Sequence, residues 1–356
     1  MAYISRTTGT AFTSNKKCTI SAWVKGPFTP AGDNHIWSIG SASGSTGNIF
    51  FYVQGSGAMT LYGYNPSLAK ATTRLFKDPN AWYHMMMTVD TTESVATDRT
   101  KLYVNGVQET LWGTDTNYSL NDTIDALTSG KIQYIGSNTG GVGPWKGEMS
   151  HVQYVDGLAL APTEFGEFDS TSGIWKIKTG AYATPGNNGY FLKMEDRTNL
   201  DLDSSSNAFT FTTTGDLTPT YDNPSNNFAT VSPSDNYYPD ATFSNGNTTV
   251  VTVSGNYMPN LSTLGMSSGK WYWEVKAVSR TSANDYFIGV SSTQTTSNTH
   301  ELGQHPNDWS YYSYDGNYKN NDSSTSYGDS YDTGDIVGIA LDLTNSKLYF
   351  SKNGVW

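Results

Sequence analysis

The sequence predicts an all-β protein built as two antiparallel β-sandwiches in tandem. No stretch of a dozen residues spaces its apolar positions as a helix would, whereas short runs alternating apolar and polar residues recur from end to end. Hydrophobic residues make up only 36%, but they include 10 Trp, 24 Tyr and 14 Phe, rings that suit pleated surfaces. At 356 residues the chain exceeds what one hydrophobic core usually serves, so two domains are expected.

In chain order the alternation marks strands over 18–25, 36–39, 49–54, 59–64, 82–90, 101–104, 131–135, 148–155 and 189–194. One helical turn is expected after Ala161, where Pro162 and Glu164 supply first-turn chemistry. After Glu195 the pattern breaks into Asp, Asn, Ser, Thr and Pro. Residues 1–195 therefore read as a first domain and 196–239 as a connector, with short alternating pieces at 208–212 and 228–231. A second domain over 240–356 follows, with strands at 248–254, 270–278, 286–291, 309–314, 336–343 and 347–351. One hairpin recurs in both halves. A strand ending in or near Asp leads to a strand beginning Lys-Leu-Tyr, which closes on Asn105-Gly106 in the first half and Asn353-Gly354 in the second. That dipeptide tolerates the positive φ angles of a tight turn. Only Val355 and Trp356 follow the second turn, so the strand at 347–351 is expected to be an edge that further residues or another chain must cover.

Composition narrows the function classes. The formal net charge is −11 and the 21 Lys and Arg are scattered, which leaves no basic field for phosphates, so no nucleic acid partner is expected. No apolar run approaches the roughly 18 residues of a membrane span, and no membrane insertion is expected. Cys18 is the sole cysteine, which excludes an intramolecular disulfide and a cysteine-based zinc site. The first eight residues lack a basic region followed by an apolar run, so no cleaved secretory signal is expected.

Among the polar clusters, His300 and His305 are the one closely spaced histidine pair, and they sit in a polar loop. The glycine-rich run 139–143 is followed by neither Gly-Lys-Ser/Thr nor a helix and reads as a turn. Loops carrying Asp115, Asn117, Asn121 and Asp122, or Asp201 and Asp203, offer part of the six to eight oxygens that calcium requires, or are solvated turns. No cofactor is expected, with calcium the one left open. In the aromatic segment 309–318, alternation places Trp309, Tyr311 and Ser313 on one face and Tyr312 and Tyr314 on the other. That second pair either stacks on a ligand or completes an ordinary strand. Trp112 lies in a polar stretch after a hairpin, where an indole needs a reason to avoid the core. The candidate ligand-binding residues are Trp112, Asp115, Asn117, Trp145, Tyr312 and Tyr314.

Four motifs in order, Thr19-Ile-Ser-Ala-Trp-Val-Lys25, Trp82-Tyr-His84, 101–107 and Trp145-Lys-Gly-Glu-Met-Ser-His-Val-Gln-Tyr154, resemble the concanavalin A-like lectin/glucanase superfamily in its laminin-G-like form. The second half resembles a SPRY domain through 268–275, 286–290, Tyr327-Gly328, 335–342 and 347–355. The resemblance implies a jelly roll followed by a SPRY-like sandwich. The order of the two, with the phrase Tyr-Phe-Leu-Lys-Met-Glu-Asp at 190–196, resembles tail-fibre and other appendage proteins of tailed bacteriophages. Laminarinase-type hydrolases of the lectin-like fold use a Glu-x-Asp-x-Glu strand, and two carboxylates about 5 Å apart serve retention. No such triplet occurs: Glu148 is followed on the same face by Ser150, and Asp196 lies beside Glu195. Ser150, with His151 after it, also stands where laminin-G-like domains often place a calcium-binding Asp.

The expectation is therefore a protein that is not an enzyme and has no catalytic residues, located in the virion and oligomeric there. It would bind host-surface glycan or a receptor as an appendage. The alternative is a structural module contacting only other virion proteins, and a third reading is a polysaccharide-degrading enzyme using an unfamiliar carboxylate pair.

Overall fold

The computed structural model describes residues 2–356 apart from 27–31, 42–46, 227, 237–240, 246, 253–256, 281–284 and 294–298. The chain forms two compact units, Met1–Phe228 and Ala229–Trp356. The described residues hold strands and two 3-10 turns, with every strand ladder antiparallel.

In the first unit the strands are β1 (Tyr3–Thr7), β2 (Lys17–Lys25), β3 (Asn34–Gly40), β4 (Asn48–Val53), β5 (Ala58–Tyr64), β6 (Leu68–Leu75), β7 (Tyr83–Asp90) and β8 (Thr100–Val104). They continue with β9 (Val107–Gln108), β10 (Trp112–Thr116), β11 (Ile132–Ile135), β12 (Glu148–Asp156), β13 (Gly166–Phe168), β14 (Trp175–Ile177), β15 (Tyr190–Leu192) and β16 (Thr212–Thr214). One sheet runs β10-β6-β5-β4-β3-β11-β1-β16 and the other β15-β12-β2-β7-β8-β9. The two-residue period of a strand sends Ile20, Ala22 and Val24 of β2, and Met85, Met87 and Val89 of β7, into the core. There they meet Ile49, Phe51, Val53 and Leu61 of the larger sheet. Cys18 is fully buried in this core, and burial pushes its thiol pKa up to about 12.

The other face of β2 and β7 is covered by the chain that follows β12. Met86 and Val155 pack under Phe165 in a second apolar cluster. The expected helical turn is a 3-10 turn at Pro162–Glu164 with proline at its start. Asn105 and Gly106 have φ of +48° and +79°, as do Asn353 and Gly354 at +49° and +80°. Both halves thus use the same Asn-Gly turn, as the sequence pattern predicts.

The stretch read as a connector, 196–239, divides. As far as Phe228 it is part of the first unit. β16 pairs with β1, and the Asp203 carboxylate accepts the backbone N–H groups of Phe191, Ser205 and Phe209. Irregular backbone packed this way is satisfied by side chains instead of a ladder, which is why it lacks strand periodicity.

In the second unit β17 (Val231–Asn236), β18 (Thr242–Ser244), β19 (Thr249–Val251) and β20 (Asn260–Ser262) form two short ladders. The two main sheets are made from β21 (Lys270–Lys276), β22 (Phe287–Ser291), β23 (Asp308–Tyr312), β24 (Tyr318–Asn320), β25 (Ser323–Thr325), β26 (Ile336–Asp342) and β27 (Lys347–Lys352). Their orders are β21-β26-β27 and β22-β23-β24-β25. The strand expected at 248–254 shortens to β19, and its last two residues lie outside the described residues. Tyr311, Tyr331, Val337, Ile339 and Phe350 form the core. Ser313 is buried on the expected side, but Trp309 is 38% exposed, because the core reaches no further along β23 than Tyr311 and the neighbouring Ile288.

The edge of β27, expected to be covered by further residues or another chain, is met in part by local groups among the described residues. The Tyr327 hydroxyl accepts the Phe350 N–H at 2.8 Å and donates to the Phe350 carbonyl at 3.0 Å. Lys352 exchanges both backbone bonds with Val355. Two of the strand's outward positions are therefore satisfied within the described residues.

Candidate binding site

On the outer side of the smaller sheet, β2 turns Trp23 away from the core and sets it opposite His84 of β7. The two rings stack at 5.2 Å, and the Trp175 ring of β14 lies 5.8 Å from His84 with their planes inclined by 19°. Glycine is required on both sides of Trp175. A Cβ on Gly106 would lie 2.4 Å from the indole, and one on Gly166 2.5 Å. Trp175 Nε1 donates to His84 Nδ1 at 3.1 Å, so the single N–H of the neutral ring is on His84 Nε2, which faces Ser21 Oγ at 2.8 Å. Full burial lowers the His84 pKa to about 3, and the imidazole stays neutral. Held in this tautomer, it donates to Ser21 and does not serve it as a base.

Beside this stack lies an open cleft of about 450 Å³ whose walls include Trp23, Trp82, Phe168, Ile174 and Trp175. Phe168 is 53% and Ile174 66% exposed at its rim. Its polar lining comes from Asn105 and Arg74. Asn105 Oδ1 accepts the His84 backbone N–H at 2.8 Å, while Arg74 is ion-paired to Glu109 at 3.0 Å.

Two clusters of titratable groups lie elsewhere in the unit. Lys25 pairs with Asp222, whose other oxygen accepts the Trp82 indole N–H at 3.1 Å. Glu148 sits beside them with both carboxyl oxygens buried and without a well-directed hydrogen bond. Burial first, and then the Asp222 charge, hold the Glu148 pKa well above the usual carboxylate range. On the β12 bulge, His151 (φ +50°) places Nδ1 2.7 Å from Ser150 Oγ and Nε2 3.4 Å from Glu195. Ser150 and His151 are each 6% exposed, and burial lowers the His151 pKa to about 4.

The structure gathers three of the six expected ligand contacts. Trp112 covers the Lys70 ammonium at 4.0 Å, Asp115 pairs with it at 2.6 Å, and Asn117 donates to Asp115 at 2.9 Å. Lys70 is 1% exposed, so this group neutralises a buried cation, and Trp112 also packs on the core. Trp145, read as a ligand contact, is instead a core residue. Its indole N–H serves the carbonyls of Lys25 and Glu148. Tyr312 and Tyr314 share an outer face of the second unit, as alternation predicts. The loops read as part of a calcium site use their oxygens internally: Asp122 accepts the Ser119 N–H, Asp201 the Thr213 hydroxyl, and Asp203 its three N–H groups. His300 and His305 meet edge to face at 5.0 Å. Among the described residues no three His, Cys, Asp or Glu side chains converge as a metal site would require.

Sequence reasoning missed Trp175 and Phe168, and the only local signal was the Asn105-Gly106 turn that Trp175 caps. It also missed a ring set on the outer face of the larger sheet, where Tyr62 and Tyr64 lie 4.9 Å apart and Phe50 lies 6.3 Å from Tyr64.

A family model described as the concanavalin A-like lectin/glucanases superfamily matches residues 2–164, and the SPRY domain model matches residues 270–356. The Ran-binding proteins 9/10 homolog of Drosophila melanogaster is 29% identical over 91 residues, which is 25% of this chain and 9% of that protein. Ran-binding protein 10 of Danio rerio is 30% identical over 88 residues, 24% of this chain and 14% of that protein. The chain thus spans only a small part of the length of these curated relatives. Among solved structures, a heptameric SAP-like pentraxin from Limulus polyphemus is similar at 21% identity and a TM-score of 0.34, over 46% of this chain and 73% of that one. The CBM40 of a Ruminococcus gnavus IT-sialidase, bound to α2,3-sialyllactose, is similar at 13% identity and a TM-score of 0.34, over 46% and 95%. The chain carries a domain of the concanavalin A-like lectin/glucanases superfamily followed by a SPRY domain.

Proposed function

We propose that this chain is a non-enzymatic binding protein of a bacteriophage appendage, and that its lectin-like unit holds a sugar ring of a host-surface glycan in the cleft beside Trp175. The observation that carries this reading is the cleft itself: an aromatic wall with a few fixed polar groups, on a rigid sheet. A pyranose presents an apolar face to such a wall and hydroxyls to groups like Asn105. The neutral tautomer of His84 supports binding over catalysis, since neither it nor Ser21 is poised for proton transfer. The appendage role rests on the order of the two domain types.

Glycan-array binding of the full chain tests the site. Phe168→Ala removes an exposed ring and is expected to weaken binding roughly fivefold, the worth of one aromatic contact, without unfolding the protein. A folded protein that binds no glycan, or Phe168→Ala binding as well as the parent, would sink the glycan reading. Mass spectrometry of purified particles tests the appendage role, and absence of the chain from them would overturn it. The exposed Phe168 and Ile174 also favour a second reading, in which the same rim contacts another particle protein. Cross-linking in intact particles through a residue at 168 would then capture that protein.

A further inference from the structure

The second unit carries an independent surface. On the outer face of the β22-β23-β24-β25 sheet, Phe287 and Tyr312 stack with centroids 4.4 Å apart and their planes inclined by 6°, and Tyr314 lies 6.0 Å further on. Tyr312 Oη donates to Asp285 at 2.8 Å, and Asp285 is ion-paired to Arg280 at 2.6 Å. Arg280 also reaches Asp332 at 3.7 Å. Two cations of this face are withdrawn from the surface: Arg280 is 13% exposed against Asp285, and Lys319 is 17% exposed against Glu301. The face displays the Tyr314 ring, 67% exposed, and the Asp332 carboxylate, 68% exposed. Asp315, next to Tyr314, is exposed as well. The whole unit has six Lys and Arg against twelve Asp and Glu.

We infer that this face docks an arginine-rich peptide segment of a partner protein, its guanidinium groups lying on the Tyr314 ring and pairing with Asp332. The chemistry selects arginine. A planar guanidinium stacks on a tyrosine face while its edge donates to a carboxylate, which an ammonium does less well. An acidic segment would find no unpaired cation here among the described residues, because Arg280, Lys319 and Lys352 are ion-paired to Asp285, Glu301 and Asp335. The inference uses the second unit alone and stands or falls apart from the glycan cleft.

Fluorescence anisotropy of the full chain with a labelled peptide alternating arginine and glycine tests it, beside the same peptide with glutamate for arginine, at about 0.15 M salt. The arginine peptide is expected to bind and the glutamate peptide not. Tyr314→Ala and Asp332→Asn should each weaken binding about threefold to fivefold, the worth of an exposed cation–π or ion-pair contact. Glu274→Gln removes the same charge from an exposed site on the other sheet and should change binding by less than about twofold. Tyr314→Phe keeps the ring and should retain binding. Absence of binding, equal binding of both peptides, an unaffected Tyr314→Ala, or equal losses from Asp332→Asn and Glu274→Gln would each overturn the inference.

Discussion

At the scale of single residues, the acidic side chains of this protein act mainly as organisers of irregular backbone. Asp156 accepts the N–H groups of Thr13, Ser14 and Asn188, and Asp169 accepts those of Thr171 and Ser172, bonds that hold its carboxyl down at about 2. Asp203, 5% exposed, does the same for three N–H groups. A carboxylate can do this because it accepts several bonds at once and the charge strengthens each. Asp203→Ala would leave those N–H groups buried without acceptors, and a loss of about 3 kcal/mol is expected. Urea unfolding measures it, and a loss below about 1 kcal/mol would mean that water replaces the carboxylate.

At the scale of elements, β27 shows how one side chain finishes a strand. Its outward backbone groups at Phe350 meet the Tyr327 hydroxyl, which is both donor and acceptor and so serves the N–H and the carbonyl together. Tyr327→Phe keeps the ring but removes both bonds. Destabilisation by about 1–3 kcal/mol is expected, with concentration-dependent association as the edge opens to other chains. Thermal unfolding and light scattering read the two effects, and a variant matching the parent in both would show that the hydroxyl is dispensable. The β13–β14 hairpin is an element of another kind. It lays Trp175 over the sheet only because Gly106 and Gly166 leave the space.

At the scale of the molecule, the polar stretch beyond Glu195 returns to the first sandwich and closes over it through a charge cluster. Lys25 and Asp222 pair there across 197 positions of sequence, and Glu148 lies alongside. The folded state holds the Glu148 proton more tightly than the unfolded chain, whose carboxyl has its ordinary value of 4.5. Stability from this group is therefore present below that value and is lost as pH rises toward and through the folded pKa. Glu148→Gln mimics the protonated acid without the titration. The variant is expected to gain stability over the parent as pH rises from about 4.5 to 8, with the difference vanishing at the acidic end. Melting temperatures across that range check it, and a difference independent of pH would refute the buried, protonated Glu148.

The strands that alternation marked were legible because a two-residue period is a local property, whereas β1, β6 and β10 were not marked. Ile20, Ala22 and Val24 announce an inward face whatever lies opposite, and Asn105-Gly106 and Asn353-Gly354 announce their turns by backbone preference alone. The placement of Tyr312 and Tyr314 on an outer face followed from the same rule. Which indole lies in the core and which lines a cleft did not. Trp145 and Trp175 are alike as residue types, yet one is buried by carbonyls from two strands and the other stacks on a histidine 91 positions away. The end of the first unit was equally hidden, since residues 196–228 are held by carboxylates that carry no periodic signal. Sequence alone determined the fold class and the segments whose alternation is strong. Tertiary structure decided which segments meet, because the contacts that build the cleft and the charge cluster join positions whose separation in the chain leaves no trace in either segment's local pattern.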